Sequence, residues 1–253
     1  MITLATPGFS SDFVKFIQEH KFKAAEIEFV RSIYLKKEEK ISEVRKISAK
    51  LGVTLSIHAP YFINLAAVDL SVLERSKQII IECCKVGDKL GAKYICFHPG
   101  FYLKRDPEEV YEIVKKSLIE IKKEIDYLGL NVVLAPELMG KKSQFGSLEE
   151  LLKLVKEIKG ISLTVDFAHY LARYGFVDYD EVVSKLPKKF HAHFSGIEYG
   201  DKGEIRHLPI DVKAFGKLVE ALNKYEKDVT IVCESSDFLN DLILMKGVLE
   251  KLS

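Results

Sequence analysis

Residues 94–137 read YICFHPGFYLKRDPEEVYEIVKKSLIEIKKEIDYLGLNVVLAPE, and this stretch predicts one strand–helix–strand unit. An apolar run, Tyr94–Phe97, is followed by apolar residues at helical spacing, and a second run follows at Val132–Ala135. Asp106 precedes a proline, which is typical of a helix start, and Gly129 stands where a helix-ending glycine belongs. A connection of this kind makes the two strands parallel neighbours.

The same alternation of short apolar runs and Lys/Glu-rich helical segments extends along the whole chain. The predicted strands are Ile2–Ala5, Ala25–Phe29, Val53–Ile57, Tyr94–Phe97, Val132–Ala135, Ser162–Val165, Phe190–Phe194 and Thr230–Cys233. No Gly-x-Gly-x-x-Gly motif follows a strand, so eight units favour a closed barrel over an open sheet. We therefore predict an α/β fold, a single (β/α)8 TIM barrel domain over residues 1–253.

Composition narrows the class of protein. Of the 253 residues, 47% are hydrophobic, which excludes a disordered chain, and no apolar run reaches the length of a membrane span. The N-terminal residues lack the pattern of a signal peptide, and the four cysteines are predicted to be free buried thiols. We expect a cytoplasmic protein. The net charge of +1 argues neither for nor against nucleic acid.

Six consecutive predicted strands end in residues of the types that commonly bind metal ions. In chain order, these are His58, His98, Glu137, Asp166 with His169 three residues on, His193 and Glu234, and His207 lies in a later loop. Strand ends of a barrel meet at its active-site face, so these side chains should lie together. Imidazoles and carboxylates are the usual ligands of zinc, and a carboxylate can bridge two ions. The pattern predicts a metal cluster there.

Taken singly, each of these residues has a structural alternative. A lone histidine at a strand end is more often a hydrogen-bonded structural residue, and Asp166 or Glu234 could cap the following helix. His191 shares a strand face with His193 and is expected one layer below the metals, as a packed residue or one that supports a ligand.

Several of these segments resemble endonuclease IV, the zinc-dependent apurinic/apyrimidinic endonuclease family. The resemblance extends from Ser56 to Glu234. It is carried by Ser56–Leu65, Phe97–Gly100, Pro136-Glu137, Val165–His169, and His193 with His207. The first segment, SIHAPYFINL, is the most specific.

The resemblance implies a set of zinc ligands. His58, His98 and Glu137 would bind one ion; Glu137 would bridge to a second ion held by Asp166, His193 and Glu234; His169 and His207 would bind a third. The family has Asp-Arg-His at that last position, whereas this chain has Ile205-Arg206-His207. Two or three zinc ions are therefore expected, and Glu204 would substitute for the aspartate only if the loop shifts.

The implied activity is hydrolysis of the DNA phosphodiester 5′ to an abasic site, leaving a 3′-hydroxyl and a 5′-deoxyribose phosphate, as in base excision repair. Bound zinc would lower the pKa of water toward about 7, with Glu137 and Glu234 as the catalytic carboxylates. Tyr61, Phe62, Arg31 and Arg206 are the predicted DNA-binding residues. The partner would be duplex DNA bound by a monomer.

A second hypothesis is a metal-dependent sugar or sugar-phosphate isomerase or epimerase on the same type of barrel. One Mn²⁺ or Mg²⁺ would then lie among Glu137, Asp166, His193 and Glu234, and the two glutamates would move the proton. Such an enzyme has little use for four further histidines. A metal-binding scaffold without catalysis is a third reading, and no feature of the sequence favours it.

Overall fold

A computed structural model describes residues 1–252 and contains all eight predicted strands. In chain order its strands are β1 (Ile2–Thr6), β2 (Ala24–Glu28), β3 (Thr54–His58), β4 (Tyr94–Phe97), β5 (Gly100–Phe101), β6 (Val133–Pro136), β7 (Gln144–Phe145), β8 (Thr164–Asp166), β9 (Lys189–Phe194), β10 (Gly196–Gly200), β11 (Gly203–Leu208) and β12 (Asp228–Cys233). Its helices are α1 (Ser11–His20), α2 (Glu38–Leu51), α3 (Leu70–Leu90), α4 (Pro107–Tyr127), α5 (Leu148–Glu157), α6 (Phe167–Tyr174), α7 (Tyr179–Lys185), α8 (Val212–Lys224) and α9 (Phe238–Leu252).

Eight of these strands, the ones that match the predicted strands, form one parallel sheet in the order β6-β4-β3-β2-β1-β12-β9-β8. Its two edge strands meet through an isolated parallel bridge between Glu137 and Thr164. Around that bridge, the Leu138 amide donates to the Thr164 carbonyl at 3.0 Å, and the Ser162 amide donates to the Leu134 carbonyl at 2.8 Å. The sheet thus closes on itself, and the predicted (β/α)8 barrel is confirmed.

Helix boundaries follow the local chemistry of the sequence. The Asp106 carboxylate accepts from the amides of Glu108 and Glu109, and Pro107 opens α4, as expected for a capped helix start. Gly52 and Gly91 end α2 and α3 with φ of 62° and 73°, which a side chain would disfavour. The helices bury their apolar faces against the outside of the barrel. No helix in the described part of the chain is both long and apolar enough to cross a membrane.

The interior of the barrel is polar near its C-terminal end. Strand register places Thr164 beside His191 and Asp166 beside His193. Because residues two apart share a strand face, each strand contributes to two successive layers. The upper layer carries the predicted metal ligands, and His191, which is fully buried, lies one layer below as predicted.

Two short antiparallel ribbons, β5–β7 and β10–β11, were not predicted from the sequence. The β10–β11 hairpin follows β9 and carries His207. Gly203 stands at its turn with φ of 100°, and a Cβ atom there would lie 2.2 Å from the carbonyl oxygen of Gly140. The hairpin therefore contacts the loop after β6 through the backbone of Gly203, where there is no room for a side chain.

Gly203→Ala is expected to destabilise the protein by about 1–3 kcal/mol, because alanine disfavours this φ and collides with the Gly140 carbonyl. Urea unfolding monitored by circular dichroism measures the change. Gly200→Ala is the matched control, since its Cβ would meet only the Ile205 side chain at an ordinary 3.7 Å. Equal stability of the two variants would show that the hairpin does not depend on this close approach.

Candidate metal centre

Six of the eight predicted ligands line one cavity at the C-terminal mouth of the barrel, with a volume of about 380 Å³, and the other two, Asp166 and His193, are fully buried beside them. The cavity is lined by Pro7, Glu28, Val30, His58, Tyr61, His98, Glu137, His169, Glu204, His207, Glu234, Ser235 and Phe238. None of these described lining residues is Lys or Arg, although several carboxylates face the same space. Bound cations would supply the missing positive charge.

Glu137 is the centre of this cluster and is fully buried. Its Oε2 atom lies 3.0 Å from Nε2 of His58 and 3.1 Å from Nε2 of His98. Its Oε1 atom lies 3.2 Å from Nδ1 of His193 and 3.3 Å from Nδ1 of His169. The two oxygens thus face different histidines. Because Nδ1 of His169 bonds to a backbone carbonyl and its Nε2 faces His207, His193 is the candidate ligand on the Oε1 side, and His58 and His98 are the candidates on the Oε2 side. This arrangement fits a carboxylate that bridges two metal positions.

Three of the histidines are fixed by backbone carbonyls. Nδ1 of His58 donates to the Ala59 carbonyl at 2.8 Å, Nδ1 of His169 to the Leu138 carbonyl at 3.0 Å, and Nδ1 of His207 to the Glu234 carbonyl at 2.8 Å. A carbonyl only accepts, so each Nδ1 carries the proton. Nε2 is then the nitrogen that faces the cavity and is available to a metal ion, which is how metal-binding histidines are usually held.

Asp166 serves two purposes. One carboxylate oxygen accepts from the His169 amide at 2.7 Å and caps α6, as the structural alternative anticipated. The other, Oδ2, is buried without a hydrogen-bond partner. Ligand atoms of Asp166, Glu137, His193 and Glu234 all lie within 4.8 Å of one another. The orphaned oxygen and the donor set both fit a divalent ion.

A β-bulge places Glu204, rather than residue 205, beside the histidines of the third predicted metal position. On the β10–β11 hairpin, Glu198 pairs with Arg206 and Tyr199 pairs with Glu204, so Ile205 is an extra residue. Ile205 points outward and is 59% exposed. The bulge brings Glu204 onto the face of His207. Nε2 of His169 lies 3.4 Å from Nε2 of His207 and 3.5 Å from Oε2 of Glu204.

The titration behaviour of the cluster reflects its crowded carboxylates. Burial alone would lower the pKa of His169, but the Asp166 and Glu137 carboxylates raise it to about 10. Burial likewise favours a neutral Glu137, yet His98 and His193 hold its pKa well below the usual value. Burial and the nearby Glu234 raise the pKa of Glu28 to about 7. The field that attracts protons to these imidazoles would equally attract divalent cations.

Sequence reasoning missed two carboxylates on β2. Glu26 and Glu28 alternate with Ile27 inside a predicted strand, and Glu28 pairs in register with His58. Glu28 lines the cavity, whereas Glu26 is fully buried beneath it between His191 and His193. Two glutamates at period two in an interior strand were the available signal, since unpaired charges are rarely buried.

The predicted DNA-binding residues lie around the mouth of the barrel but do not share one surface. Tyr61 lines the metal cavity, and its hydroxyl accepts from Nε of Arg31 at 3.3 Å. Phe62 and Arg31 line a neighbouring cavity of about 500 Å³ between α2 and α3. Arg206 lies on the outer side of the hairpin, where Nε pairs with Glu198 at 2.6 Å. The structure therefore separates Arg206 from the cavity.

Comparison with known proteins places the chain in a family. The family described as "Xylose isomerase-like TIM barrel" matches residues 14–243, and the chain belongs to it. Relatives named "Probable endonuclease 4" also match, which confirms the suspected resemblance to the endonuclease IV family.

The individual matches differ in what they cover. The "Uncharacterized protein MJ0133" of Methanocaldococcus jannaschii is 37% identical over 88% of this chain and 85% of its own length. The "Probable endonuclease 4" of Mycoplasma mobile is 34% identical over 51% of this chain, which spans only 47% of that relative. A crystal structure of a "D-tagatose 3-epimerase-like protein" superposes with a TM-score of 0.78 at 22% identity, over 98% of this chain and 96% of that one, and shows a shared fold.

Proposed function

We propose that this protein is a metal-dependent endonuclease that hydrolyses the DNA phosphodiester 5′ to an abasic site, leaving a 3′-hydroxyl and a 5′-deoxyribose phosphate. The observation that supports it best is the set of imidazoles at the cavity. His58, His98, His169 and His207 stand beside a complete four-residue group, Glu137, Asp166, His193 and Glu234. Those further ligands suit a cluster of several ions better than a single one.

We infer zinc as the metal, because the donor set is rich in imidazoles and each metal position has only a few carboxylates. When bound, such ions would acidify water and stabilise charge on a phosphate group. The chain would contribute Glu137 between two metal positions, Asp166 and Glu234 at the second, and Glu204 with His169 and His207 at a third. Three positions therefore have donors.

The charge of the cavity suits an anionic substrate only when metal ions are bound. Glu28, Glu137, Glu204 and Glu234 face the cavity, and they would repel a phosphodiester in the metal-free protein. Tyr61 and Arg31 stand at the rim, joined by their hydrogen bond, where they would contact the DNA backbone or fill the space left by the missing base. Phe62 would contact the flanking nucleotides from the neighbouring cavity.

The proposed activity is tested with a duplex that carries one tetrahydrofuran abasic analogue. This analogue cannot undergo β-elimination, so a nick reports hydrolysis. Zinc-loaded protein is expected to nick it on the 5′ side, and polymerase extension of the product would reveal the 3′-hydroxyl. Chelation followed by dialysis should abolish the activity, and added zinc should restore it.

An undamaged duplex of the same sequence is the matched substrate control. Metal content is measured on the same sample, so that inactivity cannot be blamed on an empty site. Fully loaded protein that leaves the abasic duplex intact would rule out the endonuclease proposal.

The four-residue group keeps sugar isomerisation or epimerisation as a second candidate function. Glu137 and Glu234 each have a carboxylate oxygen 3.2 Å from Nδ1 of His193, so two candidate proton-transfer groups lie close together. The decisive measurement is solvent-deuterium exchange into ketoses, followed by NMR in the presence of Mn²⁺. Exchange with a single bound ion, and no nicking of abasic DNA, would establish this second function instead.

A further inference from the structure

Glu26 lies beneath the cavity and holds two histidines of β9. Its Oε1 atom is 2.9 Å from Nε2 of His193, and its Oε2 atom is 2.8 Å from Nε2 of His191. All three side chains are fully buried. Glu26 is not among the residues that line the cavity, so a substrate bound there would not touch it.

The hydrogen bonds to Glu26 determine which nitrogen of His193 faces Glu137 and Glu234. Each oxygen of the Glu26 carboxylate accepts one imidazole N–H, so His193 carries its proton on Nε2. Its Nδ1 atom faces Glu137 and Glu234, with a carboxylate oxygen of each 3.2 Å away, and it donates to Glu137 in the absence of metal; a bound ion would take the place of that proton.

His193 is oriented in the opposite sense to three of the other cluster histidines. His58, His169 and His207 donate from Nδ1 to backbone carbonyls and present Nε2. His193 lies within a strand and points into the barrel, where its Nε2 meets a carboxylate from β2 on the far side of β1 and β12. A charged acceptor strengthens the hydrogen bond and makes the opposite nitrogen a better ligand.

We propose that Glu26 is a positioning residue that selects Nδ1 of His193 as a ligand atom for the metal position formed with Glu137, Asp166 and Glu234. This inference rests on the metal use proposed above, but not on the substrate. His191 completes the arrangement by binding the second oxygen of Glu26, which fixes the carboxylate plane. The ligand atoms of Glu26, His191 and His193 lie close enough together to hold an ion, but in the proposed arrangement both Nε2 atoms donate to Glu26 and the three residues act as a hydrogen-bonded support.

The first test is Glu26→Gln, which keeps the shape of the side chain but removes its charge and one of its two acceptor oxygens. Zinc affinity, measured by competition with a chromogenic chelator, is expected to fall about 10–100-fold at one position. Zinc bound through His58 and His98 should keep its affinity. Folding of the variant is verified by circular dichroism.

His191→Asn is the matched control, since it breaks the same buried network without removing the partner of His193. Its stability should fall as much as that of Glu26→Gln, while its zinc affinity should change by well under tenfold. Equal losses of affinity in the two variants would reduce Glu26 to a structural role and overturn the proposal. Unchanged affinity in folded Glu26→Gln would overturn it as well.

A measurement on the unmodified protein keeps the proposal testable if the variants do not fold. Long-range ¹H–¹⁵N NMR distinguishes the two neutral imidazole tautomers, and zinc-loaded protein should show His193 protonated on Nε2. A proton on Nδ1, or an anomalous-scattering peak between Glu26 and His191, would contradict it. These readouts are independent of DNA cleavage, so a protein that binds zinc but leaves DNA intact would defeat only the proposed function.

Discussion

Glu137→Gln is expected to lower DNA cleavage at least about 100-fold, the largest effect of any single substitution in the cavity. Among the described residues, Glu137 is the side chain with one oxygen facing His58 and His98 and the other facing His169 and His193. An amide offers one acceptor oxygen instead of two and carries no charge. It would therefore connect the two metal positions poorly, and zinc content should fall by at least one ion per chain.

The shape of the side chain is unchanged, so the barrel should still form. Glu181→Gln is a suitable control, because Glu181 lies on α7 in an exposed pair with Lys185, away from the cavity. Far-ultraviolet circular dichroism and zinc analysis would be measured on both variants alongside the abasic-duplex assay. Full activity in Glu137→Gln would mean that Glu137 does not bridge metals.

The barrel and the ligands at its strand ends could be predicted because both depend on local pattern. Apolar runs of four or five residues, separated by capped amphipathic helices, specify parallel strands whose C-terminal ends meet. His58, His98 and Glu137 each stand at or just beyond a strand end, and His193 is one residue before the end of β9. Their convergence therefore follows from the topology alone, without knowledge of any contact.

Residues whose position depends on contacts between distant strands could not be predicted in this way. The partners of Glu26 are 165 and 167 residues away in the chain, and nothing near Glu26 in sequence indicates them. The orientation of Glu204 depends on one extra residue in a short hairpin. A bulge of this kind reverses the face of every preceding side chain in the strand but leaves no mark in hydrophobic periodicity.

Glu204→Gln is expected to remove one zinc ion per chain and to weaken its binding by at least about tenfold, since loss of a direct ligand should cost no less than loss of a supporting one. Oε2 of Glu204 lies 3.5 Å from Nε2 of His169, which itself lies 3.4 Å from Nε2 of His207. These three side chains form the third proposed position. Zinc bound at the Glu137 group should remain, so metal analysis is expected to show a loss of one equivalent.

Variants at Ile205 test whether the bulge is what supplies this ligand. Residues two apart share a strand face, so deletion of Ile205 would leave Glu204 and His207 on the same face without a bulge, and zinc should be retained. Ile205→Asp should not rescue Glu204→Gln, because the side chain at 205 points outward and is 59% exposed. Rescue by that aspartate would show that the loop places residue 205 in the cavity. Retention of all zinc in Glu204→Gln alone would show that His169 and His207 hold the third ion without a carboxylate from the hairpin.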